Sequence, residues 1–243
     1  MNEVEKGQIL DRAKLWFCEK IAEKHVKNTR KLGNPKAFNI NPFLVNYLAN
    51  YLTGNNSAES IAKALIYPRI LGTSITTSFG ASMQNFTNQV LAGFASVVSG
   101  IDIEFVDSQD HRRKYCQLKA GPNTINKDDV ETIHNHFRDV RHLARTNQLN
   151  IGLGDLVVGV LYGEPQQLSG HYKRLENEYD HPILVGQDFW LRLTGDENFY
   201  ADLTTVFANV ANEFDATDMI AETVQQLAAS EVIQNLAKNT SLL

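Results

Sequence analysis

The sequence predicts an α/β (α+β) fold: a central mixed β-sheet flanked by helices, with further helices at both ends. Three observations carry this expectation. The apolar period is helical on both sides of one short stretch, 101–106, where it falls to two. A polar turn, Asp107–Asp110, then leads into a returning strand, Lys114–Lys119, of the same period. Beyond the next helix, Leu156–Tyr162 is a continuous apolar run, as expected of a strand buried on both faces.

From the N-terminus, residues 4–32 read as a helix in which Leu10, Leu15, Phe17, Ile21 and Val26 stand among crowded lysines; Gly33-Asn34-Pro35 ends it. Asn41-Pro42 starts a second helix, with Asn as cap and Pro at the first helical position. Phe43, Leu44, Tyr47, Leu48, Tyr51 and Leu52 are expected to be its buried face, and Gly54-Asn55 its end. Asn56 with Glu59 reads as a capping box for a third helix, 57–66, closed by Pro68. Residues 73–80 form a hydroxyl-rich approach to a long helix over 80–98, with Met83, Phe86, Val90, Leu91, Phe94 and Val97 spaced to pack on a sheet. In the first strand Ile101, Ile103 and Phe105 take one face, and Asp102 and Glu104 the other. In the second, Tyr115, Gln117 and Lys119 share a face, and Cys116 and Leu118 the opposite one. Gly121-Pro122-Asn123 breaks that strand, and Asn126 caps a helix whose first turn carries Asp128 and Asp129, as the helix dipole prefers. Residues 182–185 are a further short strand, and 187–193, 199–214 and 218–237 are helical.

The net charge of −5 argues against a general nucleic-acid coat protein. It is unevenly spread: residues 1–40 carry an excess of four positive charges and residues 200–243 an excess of five negative ones. A local basic patch therefore stays compatible with nucleic-acid recognition. No run of about 18 apolar residues suggests a membrane span, and Met1–Lys6 lacks the apolar region of a signal peptide. The two cysteines, Cys18 and Cys116, lie too far apart for a CxxC cluster, which fits a reducing cytoplasm.

The stretch that carries chemistry is Gly100-Ile101-Asp102-Ile103-Glu104-Phe105, followed by Gln117-Leu118-Lys119. Phosphodiester hydrolysis needs a hard cation to polarise phosphate and acidify water, oxygen ligands to hold it, and a cationic group for the attacking water or the growing charge. A strand delivering Asp102, beside one delivering Gln117 and Lys119 on one face, meets all three needs. The neighbouring residues also have ordinary readings: Asp102 and Glu104 as the solvent face of an edge strand, Lys119 as an edge-strand charge, Asp107 and Asp110 as turn formers, Cys116, Trp16 and Trp190 as core. His134 and His136, two apart on a helix, face different ways and make a poor metal pair.

This stretch resembles the type II restriction endonucleases of the PD-(D/E)XK superfamily. The resemblance extends to Thr77–Gln84, Lys119–Asn126 and Gly186–Gly195. It implies a restriction-endonuclease-like core and a Mg²⁺-dependent, sequence-specific endonuclease acting on double-stranded DNA. Asp102 then resembles the metal-binding Asp, Lys119 the catalytic Lys, and Gln117 falls where the family usually has Glu or Asp. An amide oxygen can ligate Mg²⁺ without bringing charge, so Glu104 is a further candidate ligand. A homodimer matching a palindromic site and a cognate methyltransferase are also implied. Residues 1–70 would be a helical dimerisation or DNA-clasping region, and 71–243 the catalytic domain with its C-terminal helices. Arg112, Arg113 and Lys114 in the hairpin, and Asn123, Thr124, Asn126 and Lys127 after the catalytic Lys, are the expected DNA contacts. Three other readings stay open: a repair or recombination nuclease of the same fold, a DNA-binding or regulatory protein whose cleavage Gln117 has disabled, and a helical scaffold protein in which the motif is accidental.

Overall fold

In the computed structural model, which describes residues 1–148 and 150–240, four strands form one mixed sheet in sequence order. They are β1 (Ile103–Val106), β2 (Arg113–Lys119), β3 (Leu156–Val160) and β4 (Ile183–Val185). β1 and β2 are an antiparallel hairpin, with Ile103 opposite Cys116 and Val106 opposite Arg113. β2, β3 and β4 run parallel, with Gln117 opposite Val158 and Lys119 opposite Val160. Parallel neighbours need crossovers, and two helices supply them.

Twelve α-helices are described: α1 (Glu3–Trp16), α2 (Glu23–Lys31), α3 (Pro42–Thr53), α4 (Ala58–Pro68), α5 (Ser74–Ala81), α6 (Met83–Gln89), α7 (Lys127–Thr146), α8 (Gly170–Tyr179), α9 (Gln187–Thr194), α10 (Phe199–Val210), α11 (Thr217–Ala228) and α12 (Glu231–Thr240). The crossovers are α7 and α8. The chain divides into two compact units, one of residues 1–16 and 80–208, the other of 17–79 and 209–243. The boundary expected at 70/71 thus lies elsewhere, and α11 and α12 belong with the N-terminal helices because Val224, Leu227 and Ile233 join their core.

The first unit holds the sheet. On one face Val130, Ile133, Phe137 and Val140 of α7 and Tyr172 and Leu175 of α8 pack on Leu156, Val158 and Val160. All five residues of β3 are buried, as its unbroken apolar run predicts. On the other face Cys116 and Phe189 close over Gly159, where an added Cβ would lie 2.6 Å from the Phe189 ring and 2.9 Å from the Cys116 sulfur. An aromatic chain continues outward: Phe189 to Trp190, Trp190 to Phe86 and Phe199, and Phe86 to Trp16. Both tryptophans and Cys116 are core residues, as expected.

The second unit is helical. Val45 and Ala49 of α3 and Ile61, Ala62 and Ile66 of α4 form its core with Leu32, Ile70 and the C-terminal helices. The expected buried face of α3 is therefore wrong. Phe43, Leu44, Tyr47, Leu48, Tyr51 and Leu52 are the exposed side, from 45% at Leu48 to 89% at Phe43, and the smaller Val45 and Ala49 face inward. The cap of α4 is Ser57, whose side chain accepts from the Ser60 amide, rather than Asn56. Pro68 does not close the helical stretch: the chain continues through a π turn, Arg69–Thr73, into α5. The long helix expected over 80–98 is broken. α6 ends at Gln89, Ala92–Phe94 is a single 3₁₀ turn, and Val97 is exposed. The helix expected over 218–237 is two helices that meet near Ala229-Ser230. α8 has no counterpart in the sequence reading.

The close approach over Gly159 gives a test. Gly159→Ala should lower stability by about 1–3 kcal/mol through overpacking, measured by urea unfolding with tryptophan fluorescence. Both tryptophans lie in the sheet-bearing unit, so the signal reports on it; an unchanged midpoint would refute the packing described.

Candidate active site

At the end of the hairpin, β1 and β2 part, and each strand's polar side chain takes up a main-chain group of the other. The Asp102 amide still donates to the Cys116 carbonyl at 3.0 Å. Its carboxylate Oδ2 accepts from the Leu118 amide at 2.7 Å. From β2, the Gln117 Nε2 donates to the Gly100 carbonyl at 2.5 Å. Asp102 and Gln117 thus come together at one point, with Lys119 next on the same face of β2.

Helix α7 supplies the far wall. Gln117 Nε2 also meets Nδ1 of His136 at 2.8 Å. His136 comes this close because residue 100 is glycine: a Cβ there would lie 2.7 Å from the imidazole, and its φ of +79° is in the left-handed region. Two turns earlier on α7, Asp129 pairs with Lys119 at 3.6 Å. Asp129 also completes the capping box of the helix with Asn126. Neither Asp129 nor His136 was singled out from the sequence as a site residue. Their separation of seven places them on one face of a helix, which is the signal that would have found them.

Burial raises the Asp102 carboxyl above the usual carboxylate range, opposed by the Leu118 amide and the Lys119 ammonium, which favour its charged form. A nearby divalent cation would act in the same direction as those two. The donor atoms fit a hard cation: a carboxylate from Asp102 and an amide oxygen from Gln117. Among the described residues no three His, Cys, Asp or Glu side chains converge as a metal cage.

The turn after Lys119 is clamped. Tyr172 donates to the Gly121 carbonyl at 2.9 Å, and the Thr124 hydroxyl donates to the same oxygen at 2.8 Å. Asn123, Thr124, Asn126 and Lys127 beyond it are exposed.

The basic hairpin is less available than the sequence suggested. Lys114 is only 4% exposed, with its ammonium on Asp110 at 2.5 Å, Asp155 at 3.3 Å and the Gly154 carbonyl at 3.0 Å. As a DNA contact it is corrected: a buried, doubly paired ammonium does not reach a phosphate. Arg112 forms a two-pronged pair with Asp155, whose carboxyl the arginine holds down at about 2. Arg113 is exposed and bonds Glu104 at 3.1 Å. Glu104 also accepts from Ser96 at 2.7 Å, so as a metal ligand its carboxylate starts out engaged. Asp107 is a buried turn residue that accepts from Gln109 and pairs with Arg192 at 2.9 Å.

His134 faces away from His136, as the spacing implied. It stacks on Tyr179 at 4.2 Å, and its Nδ1 lies 3.3 Å from Nε2 of His181. His181 is 2% exposed, and burial, with His134 and Arg141, lowers it to about 4.

The chain matches the family model described as type II restriction endonuclease EcoO109I over residues 18–215. No curated protein matches the chain.

The His181 environment sets a pH dependence. Its folded pKa lies below the unfolded value near 6.5, so its contribution is complete above that value and is lost as pH falls towards about 4. Stability should drop by up to about 3 kcal/mol over that interval. His181→Phe should flatten this part of the profile of unfolding free energy against pH; an unaltered slope would exclude the assignment.

Proposed function

We propose how this chain, which belongs to the type II restriction endonuclease EcoO109I family, cuts DNA: by Mg²⁺-dependent, sequence-specific hydrolysis of phosphodiester bonds in the duplex. The family makes the chain a nuclease, and its members generally use a divalent metal. The observation that carries the finer reading is the Asp102 carboxylate on the Leu118 amide, between Gln117 and Lys119.

Asp102 and the Gln117 amide oxygen would hold the cation, with the scissile phosphate as a further ligand. When bound, the cation polarises that phosphate and lowers the pKa of nearby water. Lys119 orients the attacking water and stabilises the charge growing on phosphorus. Asp129 holds the ammonium from the α7 side, which keeps it from folding away along the strand. Asn123, Thr124, Asn126, Lys127 and Arg113 are the groups proposed to grip backbone phosphates, which positions the duplex without reading its sequence. Arg112 contributes through its Asp155 pair to the hairpin that carries Arg113.

A homodimer suits a two-fold recognition site, and the outward face of α3 suits its interface. Its six large apolar residues present roughly 800 Å², about one partner's share of a standard interface. A cognate methyltransferase would protect the host's own sites.

Digestion of unmethylated phage DNA tests the activity. The native chain should give discrete fragments only with Mg²⁺, and Lys119→Ala should slow cleavage at least 10²-fold, roughly the effect of losing a charge-stabilising group. Undiminished cleavage by Lys119→Ala would refute its role. Phe43→Glu with Tyr51→Glu should convert the dimer to monomer in sedimentation velocity, and a dimer that survives would remove α3 from the interface.

A further inference from the structure

The amide at 117 stands where the resembled family usually has an acid, and its surroundings are made for an amide. A glutamine side chain has one donating and one accepting end, and its function depends on which end faces the site. The Gly100 carbonyl can only accept, so at 2.5 Å it requires the nitrogen end. The second contact of that nitrogen is Nδ1 of His136 at 2.8 Å. An NH₂ group donates to it only if Nδ1 carries no proton, which leaves the ring proton on Nε2. Two acceptors on two elements, the loop before β1 and helix α7, therefore hold both hydrogens of one amide. Its oxygen is left as the end without a partner on either element. Gly100 admits this arrangement because any side chain there would strike His136.

We infer that His136 is a positioning residue: with the Gly100 carbonyl it locks the Gln117 amide so that its oxygen is the atom offered to a cation beside Asp102. This rests on the nuclease reading above, and it explains how a neutral side chain serves at this position. Without His136 one amide hydrogen loses its acceptor. The side chain is then free to turn, and the nitrogen end, which repels a cation, competes for the site. Outer partners of metal ligands commonly change metal affinity by about 10–100-fold when removed.

Three measurements on the full chain test it. Mn²⁺ titration followed by electron paramagnetic resonance should show about 10-fold or greater weakening in His136→Ala. His136→Asn should bind nearly as the native chain, because Asn Oδ1 stands in for Nδ1 as an acceptor. In metal-free protein, ¹⁵N spectra of labelled histidine should show His136 with an unprotonated Nδ1. Equal Mn²⁺ affinity in native and His136→Ala protein, or a protonated Nδ1 in the native chain, overturns the inference while leaving the nuclease reading intact if the native chain cuts DNA. A native chain that neither binds Mn²⁺ nor cuts refutes the nuclease reading instead, and the nitrogen spectra still decide the amide arrangement.

Discussion

The candidate site depends on one exchange of hydrogen bonds where β1 and β2 separate. A hairpin that simply frays leaves main-chain donors and acceptors without partners, and burying such groups is costly. Here the Asp102 carboxylate satisfies the Leu118 amide, and the Gln117 amide satisfies the Gly100 carbonyl. The same two bonds bring both polar side chains to one place. Structural need and chemical placement are thus met by the same contacts. Helix α7 is tied into the arrangement from both ends of its first three turns. Asp129 caps the helix and reaches Lys119, while His136 reaches Gln117. Since Val130, Ile133 and Phe137 of α7 also pack on β3, the core fixes the distance of this wall from the sheet.

The charges divide into two sets with different work. Lys114, Arg112, Asp110 and Asp155 form a closed group beneath the hairpin. A buried ammonium is tolerable only when paired and hydrogen-bonded, and Lys114 has two carboxylates and a carbonyl. That group stiffens the strand that carries Gln117 and Lys119, so basic residues adjacent in sequence act on opposite sides of one task. Arg113 and Lys127 are exposed and Lys119 is half-exposed, on the same unit. A chain that is negative overall can therefore still present cations next to its candidate site, because its acidic excess is concentrated in residues 200–243.

What the sequence made legible was the part governed by local periodicity. Alternation placed Ile103 and Phe105 inside and Asp102 and Glu104 on the opposite face; it did the same for Cys116 and Leu118 against Gln117 and Lys119. Asn126 was readable as a cap because the capping bond is local. Two of the misreadings, at α3 and at Lys114, share another cause, since they concern which of two faces meets a partner. α3 has large residues on one side and Val45 and Ala49 on the other, and close helix packing selected the small ones. Lys114 alternates correctly with Tyr115, yet its inward side leads to Asp155, forty-one residues away, which no local pattern shows. The break after α6 lies in a segment whose apolar spacing is helical. The chain leaves that path to reach the bridge between Ala95 and Ile103 at the sheet.

The amide at 117 is the point at which family pattern and local physics diverge, and the geometry gives a reason for the divergence. Asp102 is already raised by burial, and a second carboxylate beside it would raise the pair further by like-charge repulsion. At residue 117 an ionised acid would also set an oxygen against the Gly100 carbonyl, at a distance suited only to a donor. An amide avoids both costs. What it lacks is negative charge, and among the described residues no group of three acidic, histidine or cysteine side chains converges to supply it. On the proposed mechanism the scissile phosphate supplies it, so that a cation is held well only when DNA is in place. Mg²⁺ sites often rely on substrate phosphate in this way, with one or two carboxylates from the protein. Such a site couples metal affinity to DNA binding through the ligand count itself, without requiring a separate conformational switch.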